Sequence, residues 1–140
     1  MNFLNKKEKQ KNKIFLQKGY IISKIEDKSS LQYISSLILK TAKQVLKANN
    51  FSNLNKIHEE ISTVELNNFR LNIINKINRD NFFRYHYFNI AKEALYTLAG
   101  NELMMQKNIN LSIQFPNDNS SLLPIHSDVW SGDSPYEINL

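Results

Sequence analysis

The spacing of apolar residues changes along this chain, and that change constrains the fold more than any other feature. Between residues 29 and 100, apolar side chains recur three or four positions apart, which places them on one face of a helix. The pattern predicts three helices: residues 29–48 after a serine cap, Thr63–Ile77, and a third from Asp80 or Asn81 to Gly100. Together they form a predicted helical layer at about residues 29–100.

The flanking regions have the residue pattern of strands. The β-branched segment from Ile14 to Ile22 predicts a first strand, and Ile109–Phe115 alternates apolar and polar residues as a strand with one buried face does. Residues 122–130 and 136–140 are predicted as two more extended segments. Helices followed by strands, the latter at about residues 101–140, predict an α+β fold.

The net charge of +5 is concentrated near the N-terminus. The first thirteen residues contain five lysines and one glutamate, whereas the remaining residues contain 13 basic and 12 acidic residues. We therefore predict a basic flexible tail at residues 1–13, followed at residues 14–140 by the N-terminal part of a single domain. A nucleic-acid partner is not favoured, because the body of the chain is close to neutral.

The apolar runs and the cysteine content of the chain indicate the cellular compartment. No apolar run approaches the ~20 residues of a membrane span, and no secretory signal is present, so no membrane partner is expected. The chain has no cysteine, which excludes disulfides and thiolate metal sites and fits a reducing cytosol. The sequence predicts a soluble, cytoplasmic protein.

Two residues in the last quarter of the chain point to metal chemistry. His126 and Asp128 are two positions apart between apolar neighbours, so in an extended chain their side chains point to the same face. An imidazole and a carboxylate are two of the three ligands in the 2-His-1-carboxylate triad that holds non-haem Fe(II). The other histidines, His58 and His86, precede this pair and lie in or near predicted helices, which makes them poor candidates for the third ligand.

The residues around this pair carry a family resemblance. Residues Asn110–Pro116 and Ser120–Glu137 resemble the iron-binding region of 2-oxoglutarate/Fe(II) oxygenases, in particular a group found sporadically in carbohydrate-biosynthesis clusters and similar to phytanoyl-CoA dioxygenases. The resemblance implies a double-stranded β-helix (jelly roll) behind an N-terminal helical layer. It also implies Fe(II) held by His126, Asp128 and a later histidine, with 2-oxoglutarate as cosubstrate anchored by a later basic residue.

The resemblance sets several further expectations. The expected activity is hydroxylation of a sugar or a sugar-linked small molecule. The chain is expected to be the N-terminal part of the oxygenase domain and inactive alone, because the sequence ends at Leu140 before the expected histidine and basic residue. Gln114 is a candidate contact for the cosubstrate, and Trp130 and Glu137 are candidate substrate contacts.

Simpler interpretations remain open for these residues. Gln114 and Glu137 fit ordinary exposed strand positions, and Trp130 fits an aromatic at the edge of the core. The sequence is also compatible with two alternative functions. One is a non-catalytic helical binding module with a basic arm for an anionic partner, and the other is a cupin-type protein with another metal. The sequence does not indicate an oligomeric state.

Overall fold

A computed structural model describes residues 4–118 and 138 of the chain. Its helices are α1 (Lys6–Lys18), α2 (Lys28–Leu46), α3 (Ile57–Glu60), α4 (Thr63–Ile77) and α5 (Phe83–Ala99), with a 3₁₀ turn at Leu54–Lys56 before α3. Within the described residues there are five α-helices and no β-strand. The predicted α+β fold is therefore wrong for this part of the chain, which is all-α. The predicted segments at 122–130 and 136–140 lie outside the described residues apart from Ile138.

The three predicted helices are confirmed as α2, α4 and α5. For α4 the predicted bounds match those of the structure, and the helix begins after Ser62, whose backbone N–H and hydroxyl both donate to the Glu65 carboxylate. These bonds from the Ser62 hydroxyl and N–H lower the pKa of Glu65. Helix α5 ends as predicted at Gly100, whose N–H donates to the carbonyl of Tyr96.

The predicted first strand is wrong over its whole length: residues 14–18 are the last turns of α1, and residues 19–22 follow the helix without forming a strand. Asn5 caps this helix: its side chain accepts hydrogen bonds from the N–H groups of Lys7 and Glu8, and the Glu8 carboxylate accepts one from Asn5. The helix stops at Gly19, which has a φ of 77°. The reciprocal cap stabilises the first turn, so the weak strand preference of the β-branched residues does not decide the local structure. Residues 6–13, which contain the five lysines of the predicted basic tail, also lie in α1.

Helix α2 packs against both α4 and α5, and α1 packs against α5. Ala42 of α2 is fully buried at this contact, and the side chains of Ile73, Ile77 and Phe83 are no more than 2% exposed. The loop from α2 to α4 and the segment after α5 complete the same core. Its buried residues are Ile34, Ala42, Phe51, Ile57, Ile61, Phe69, Ile73, Ile77, Phe83, Ile109 and Phe115.

Residues 109–115 have the burial pattern of a strand without being one. Ile109 and Phe115 are buried, and the polar residues between them are exposed, as the alternation predicted. The strand prediction is nevertheless wrong, because the backbone of Ile109 pairs with a side chain. Asn78, at the end of α4, donates to the Ile109 carbonyl at 2.9 Å and accepts from its N–H at 2.7 Å. One side-chain amide pairs with the backbone N–H and C=O of a single residue. A β-strand instead needs a neighbouring strand whose backbone forms hydrogen bonds along its whole length.

The loop that leads to this segment is held by Arg84 of α5. Its guanidinium donates to the carbonyls of Gln106 and Lys107, and more weakly to that of Met105 at 3.4 Å. Residues 105–109 therefore follow a path fixed by α4 and α5. None of the helices in the described ranges combines the length and the apolar character needed to cross a bilayer.

Replacing Asn78 with alanine tests this attachment. The variant leaves the N–H and carbonyl of the buried Ile109 without their partner, and we expect it to lower the free energy of unfolding by about 1–3 kcal/mol. Urea denaturation followed by circular dichroism measures the change. Asn72→Ala is the matched control, because Asn72 lies on the same helix and bonds only to Asn68 on the exposed surface. It should change stability by less than about 0.5 kcal/mol. Equal losses in the two variants would contradict the assigned role of Asn78.

Candidate functional site

The structure reaches only one of the predicted site residues. His126, Asp128, Trp130 and Glu137 lie outside the described residues. Gln114 is described, and its exposed side chain donates a hydrogen bond to the carbonyl of Asp118. This bond closes the turn that ends the 109–115 segment and directs the Gln114 amide towards its own loop.

Gln114 lines a cavity of about 350 Å³ between the helices and the segment that follows α5. The floor of the cavity is apolar, and polar groups are contributed by Asn55, His58, Ser112 and Gln114. Its apolar lining consists of Ile38, Leu54, Ile57, Phe69, Ile73, Leu111, Ile113 and Pro116. An apolar cavity with a few polar groups is the usual form of a small-molecule site.

The fold brings His58 to the same cavity as Gln114, which the sequence did not predict. The His58 ring lies edge-on to Phe115 with centroids 6.5 Å apart, and its Nε2 is 4.0 Å from the Glu59 carboxylate. The imidazole and the Gln114 amide can both form hydrogen bonds with a polar group of a ligand. No signal in the sequence links these residues, because they are joined only by the packing of residues 111–116 on α3.

A second cluster of polar residues joins the start of α2 to α5. Asp27 caps α2 and accepts hydrogen bonds from the Ser29 hydroxyl at 2.6 Å, the Ser30 hydroxyl at 2.7 Å and the Ser30 N–H at 2.9 Å. These bonds lower the pKa of Asp27 to about 2, and the bond from the Ser29 hydroxyl has the largest effect. The sequence predicted a serine as the cap of this helix; the cap is the aspartate that precedes both serines.

His86 of α5 completes this cluster from the other side. Its Nδ1 is 2.9 Å from the Ser30 hydroxyl oxygen, and its ring stacks on Tyr33 at 4.1 Å between centroids. Because the Ser30 hydroxyl donates its proton to Asp27, it accepts from His86, so Nδ1 of His86 is the donor of this bond. Ser30 is only 1% exposed, so its hydroxyl serves the contact between the helices and is closed to a substrate.

The cluster ends at the N-terminus of α5. The Tyr33 hydroxyl donates to Asp80 at 2.9 Å, and this bond raises the pKa of Tyr33. Asp80 also accepts from the N–H groups of Phe82 and Phe83, although the N-cap position of α5 is Phe82 and not the predicted Asp80 or Asn81. The sequence did not predict this bridge, because Ser30 and His86 are 56 positions apart.

In the part of the chain that the structure describes, no three His, Cys, Asp or Glu residues are grouped to hold a metal ion. The predicted ligands His126 and Asp128, whose types suit Fe(II), lie outside that part. No protein-family model, no curated protein and no solved structure matches the chain.

The lowered pKa of Asp27 predicts a pH dependence of stability. The folded-state pKa of about 2 is below the ordinary value of 3.8, so the unfolded chain binds the proton more readily. The contribution of Asp27 is therefore complete above about pH 4 and is lost as the pH falls towards 2. Denaturation with urea between pH 5 and 2 should show a smaller loss of stability in Asp27→Asn than in the unchanged protein.

The matched control for this experiment is Glu60→Gln. Glu60 is exposed and makes no hydrogen bond or ion pair among the described residues. Its substitution should leave the acid-induced loss of stability as it is in the unchanged protein. If Asp27→Asn and Glu60→Gln give the same pH profile, the hydrogen bonds to Asp27 do not contribute as described.

Proposed function

We propose that this protein is a non-haem Fe(II)/2-oxoglutarate-dependent dioxygenase, in which His126 and Asp128 supply two ligands of the iron. The proposal rests on the likeness of residues 110–137 to the iron-binding region of these enzymes. The chain would supply the N-terminal portion of the enzyme. The resemblance implies a third protein ligand after Asp128, and no histidine follows Asp128 in these 140 residues. The proposed location is the cytoplasm.

The described helices support this proposal as the helical layer that carries the segment before the ligand pair. Asn78 and Arg84 attach residues 105–109 to the ends of α4 and α5. Ile109 and Phe115 then anchor the following residues in the core. A binding site needs support from rigid elements, since small displacements of its residues weaken it. Two helix ends and two core side chains provide such support just before the proposed iron site.

Each predicted site residue has a role in this proposal. Bound Fe(II), with 2-oxoglutarate and O2 as cosubstrates, would supply the oxidation of a C–H bond: one oxygen atom of O2 would enter the product, and the other would enter the succinate formed as 2-oxoglutarate loses CO2. His126 and Asp128 hold the metal, Gln114 hydrogen-bonds to the cosubstrate, and Trp130 and Glu137 contact the substrate. For Gln114 to act in this way, its side chain has to exchange the bond to Asp118 for one to the ligand. The substrate class, a sugar or a sugar-linked small molecule, follows from the resemblance.

Metal binding by the 140-residue chain tests the ligand assignment. With two ligands the chain should bind Fe(II) weakly, and binding of Fe(II) or Mn²⁺ under anaerobic conditions can be measured by isothermal titration calorimetry. We expect His126→Ala and Asp128→Ala each to weaken the affinity at least about tenfold, since even the residues that only orient metal ligands contribute that much. His58→Ala is the matched control and should leave the affinity unchanged.

The activity is tested separately, by oxidation of 2-oxoglutarate to succinate. The 140-residue chain alone should produce no succinate, because it lacks the third ligand and the basic anchor of the oxoacid. A chain extended by the downstream reading frame, with a histidine followed by an arginine, should produce it. Metal binding that survives both substitutions would contradict the proposed site. Metal binding without any response to 2-oxoglutarate in the extended chain would favour a cupin-type protein.

A further inference from the structure

The most asymmetric feature of the described surface is the distribution of charge. Residues 1–28 contain eight lysines and three acidic residues, whereas the rest of the chain contains ten basic and ten acidic residues. The entire net charge of +5 therefore lies on α1 and the segment that follows it. A charge concentrated on one element attracts an anionic partner more strongly than the same charge spread over the surface.

The outer face of α1 combines three of these lysines with one large apolar side chain. Lys6, Lys9, Lys13 and Leu16 follow one another at intervals of three or four residues, so they lie on one side of the helix. All four are exposed, and Leu16 keeps 79% of its surface in water. The opposite side carries the half-buried Phe15, which lines the groove against α5. We call Lys6, Lys9, Lys13 and Leu16 the α1 outer face.

The lysines of this face have no acidic partner within the described residues. The ion pairs found there involve Lys56, His58 and Glu59, all far along the chain. Glu8, the acidic residue of α1, is bound to the N–H of Asn5 at 2.6 Å as part of the helix cap. The charge of the α1 outer face is therefore available to an external anion.

A second exposed apolar side chain follows at the end of the helix. After the turn at Gly19, Ile22 is 91% exposed. An exposed leucine beside a row of lysines, and an exposed isoleucine six residues further along the chain, gain little from a phosphodiester backbone, which offers charge but no apolar phase. A bilayer with acidic lipids offers both, because lysines pair with the headgroups while apolar side chains enter the interface.

We propose that the α1 outer face, together with Ile22, binds the surface of an anionic lipid bilayer. The sequence argued against a membrane partner because no segment can span one, but a surface contact needs no span. The inference is independent of the oxygenase proposal, since none of these residues belongs to the proposed iron site. It assigns to this protein a peripheral attachment through a lysine-rich helix.

Co-sedimentation of the full 140-residue chain with vesicles tests the proposal. The chain should bind vesicles of phosphatidylcholine and phosphatidylserine at low salt, and binding to phosphatidylcholine alone should be much weaker. The triple variant K6Q/K9Q/K13Q should lower the partition coefficient about a hundredfold, and L16Q/I22Q at least about tenfold. Glutamine has a helix propensity close to that of lysine and leucine, so α1 should remain folded, which circular dichroism checks.

Matched controls come from other exposed residues of the same chain. V64Q replaces an apolar side chain that is 90% exposed on α4, and K40Q/K47Q/K107Q removes three exposed lysines outside α1. Both controls should bind vesicles nearly as well as the unchanged protein. Absence of binding to acidic vesicles, or equal losses in controls and α1 variants, would overturn the proposal. Tighter binding to a single-stranded oligonucleotide that L16Q/I22Q leaves unchanged would also overturn it, in favour of a nucleic-acid partner.

Discussion

The contact of α2 with α4 and α5 is the interaction on which the rest of the structure depends. Ala42 is completely buried there, so a larger side chain would force the helices apart. Ile73, Ile77 and Phe83 face the same core, and burying each of them stabilises the fold by about 1.5–3 kcal/mol. Without this core, neither α1 nor the segment after α5 would have a surface to pack against.

Apolar packing brings helices together but does not by itself select one orientation. The hydrogen-bonded cluster at the starts of α2 and α5 fixes how these two helices are oriented relative to each other. Asp27 caps α2, the Asp80 carboxylate accepts from the N–H groups of Phe82 and Phe83 at the start of α5, and the pairs Ser30–His86 and Tyr33–Asp80 join the two helices. Because these groups are directional and partly buried, a shift of one helix along the other would break several bonds together. The histidine of this cluster, His86, thus contributes to the fold.

The attachment of residues 105–115 is what relates the helices to the proposed function. Asn78 supplies to Ile109 the two hydrogen bonds that a neighbouring strand would have supplied, and Arg84 holds the preceding carbonyls. The segment keeps the one-sided burial of a strand while resting on a helical surface. The cavity that contains His58 and Gln114 is formed by the same packing. The helical part therefore holds residues 105–115 and forms a small cavity with them.

Local patterns allowed much of the helical part to be predicted. The three- and four-residue spacing of apolar side chains identified α2, α4 and α5, and Gly100 correctly marked the end of the last. The alternation in residues 109–115 predicted which side chains are buried, because burial depends on the pattern of side chains. It did not predict the backbone partner, which in this structure is a distant asparagine. The prediction for residues 14–18 was wrong because the reciprocal cap between Asn5 and Glu8 outweighed the strand preference of the residues that follow.

The sequence by itself determined the helices of the core, the concentration of charge near the N-terminus and the His126–Asp128 pair as a candidate for metal ligation. These are properties of neighbouring residues, so they can be read from spacing and residue type. Only the tertiary structure decided that Ser30 meets His86, that Asn78 holds Ile109, and that Leu16 stays exposed beside the lysines of α1. Each of these depends on how separate helices pack, and a pairing between distant positions leaves no periodic trace in the chain.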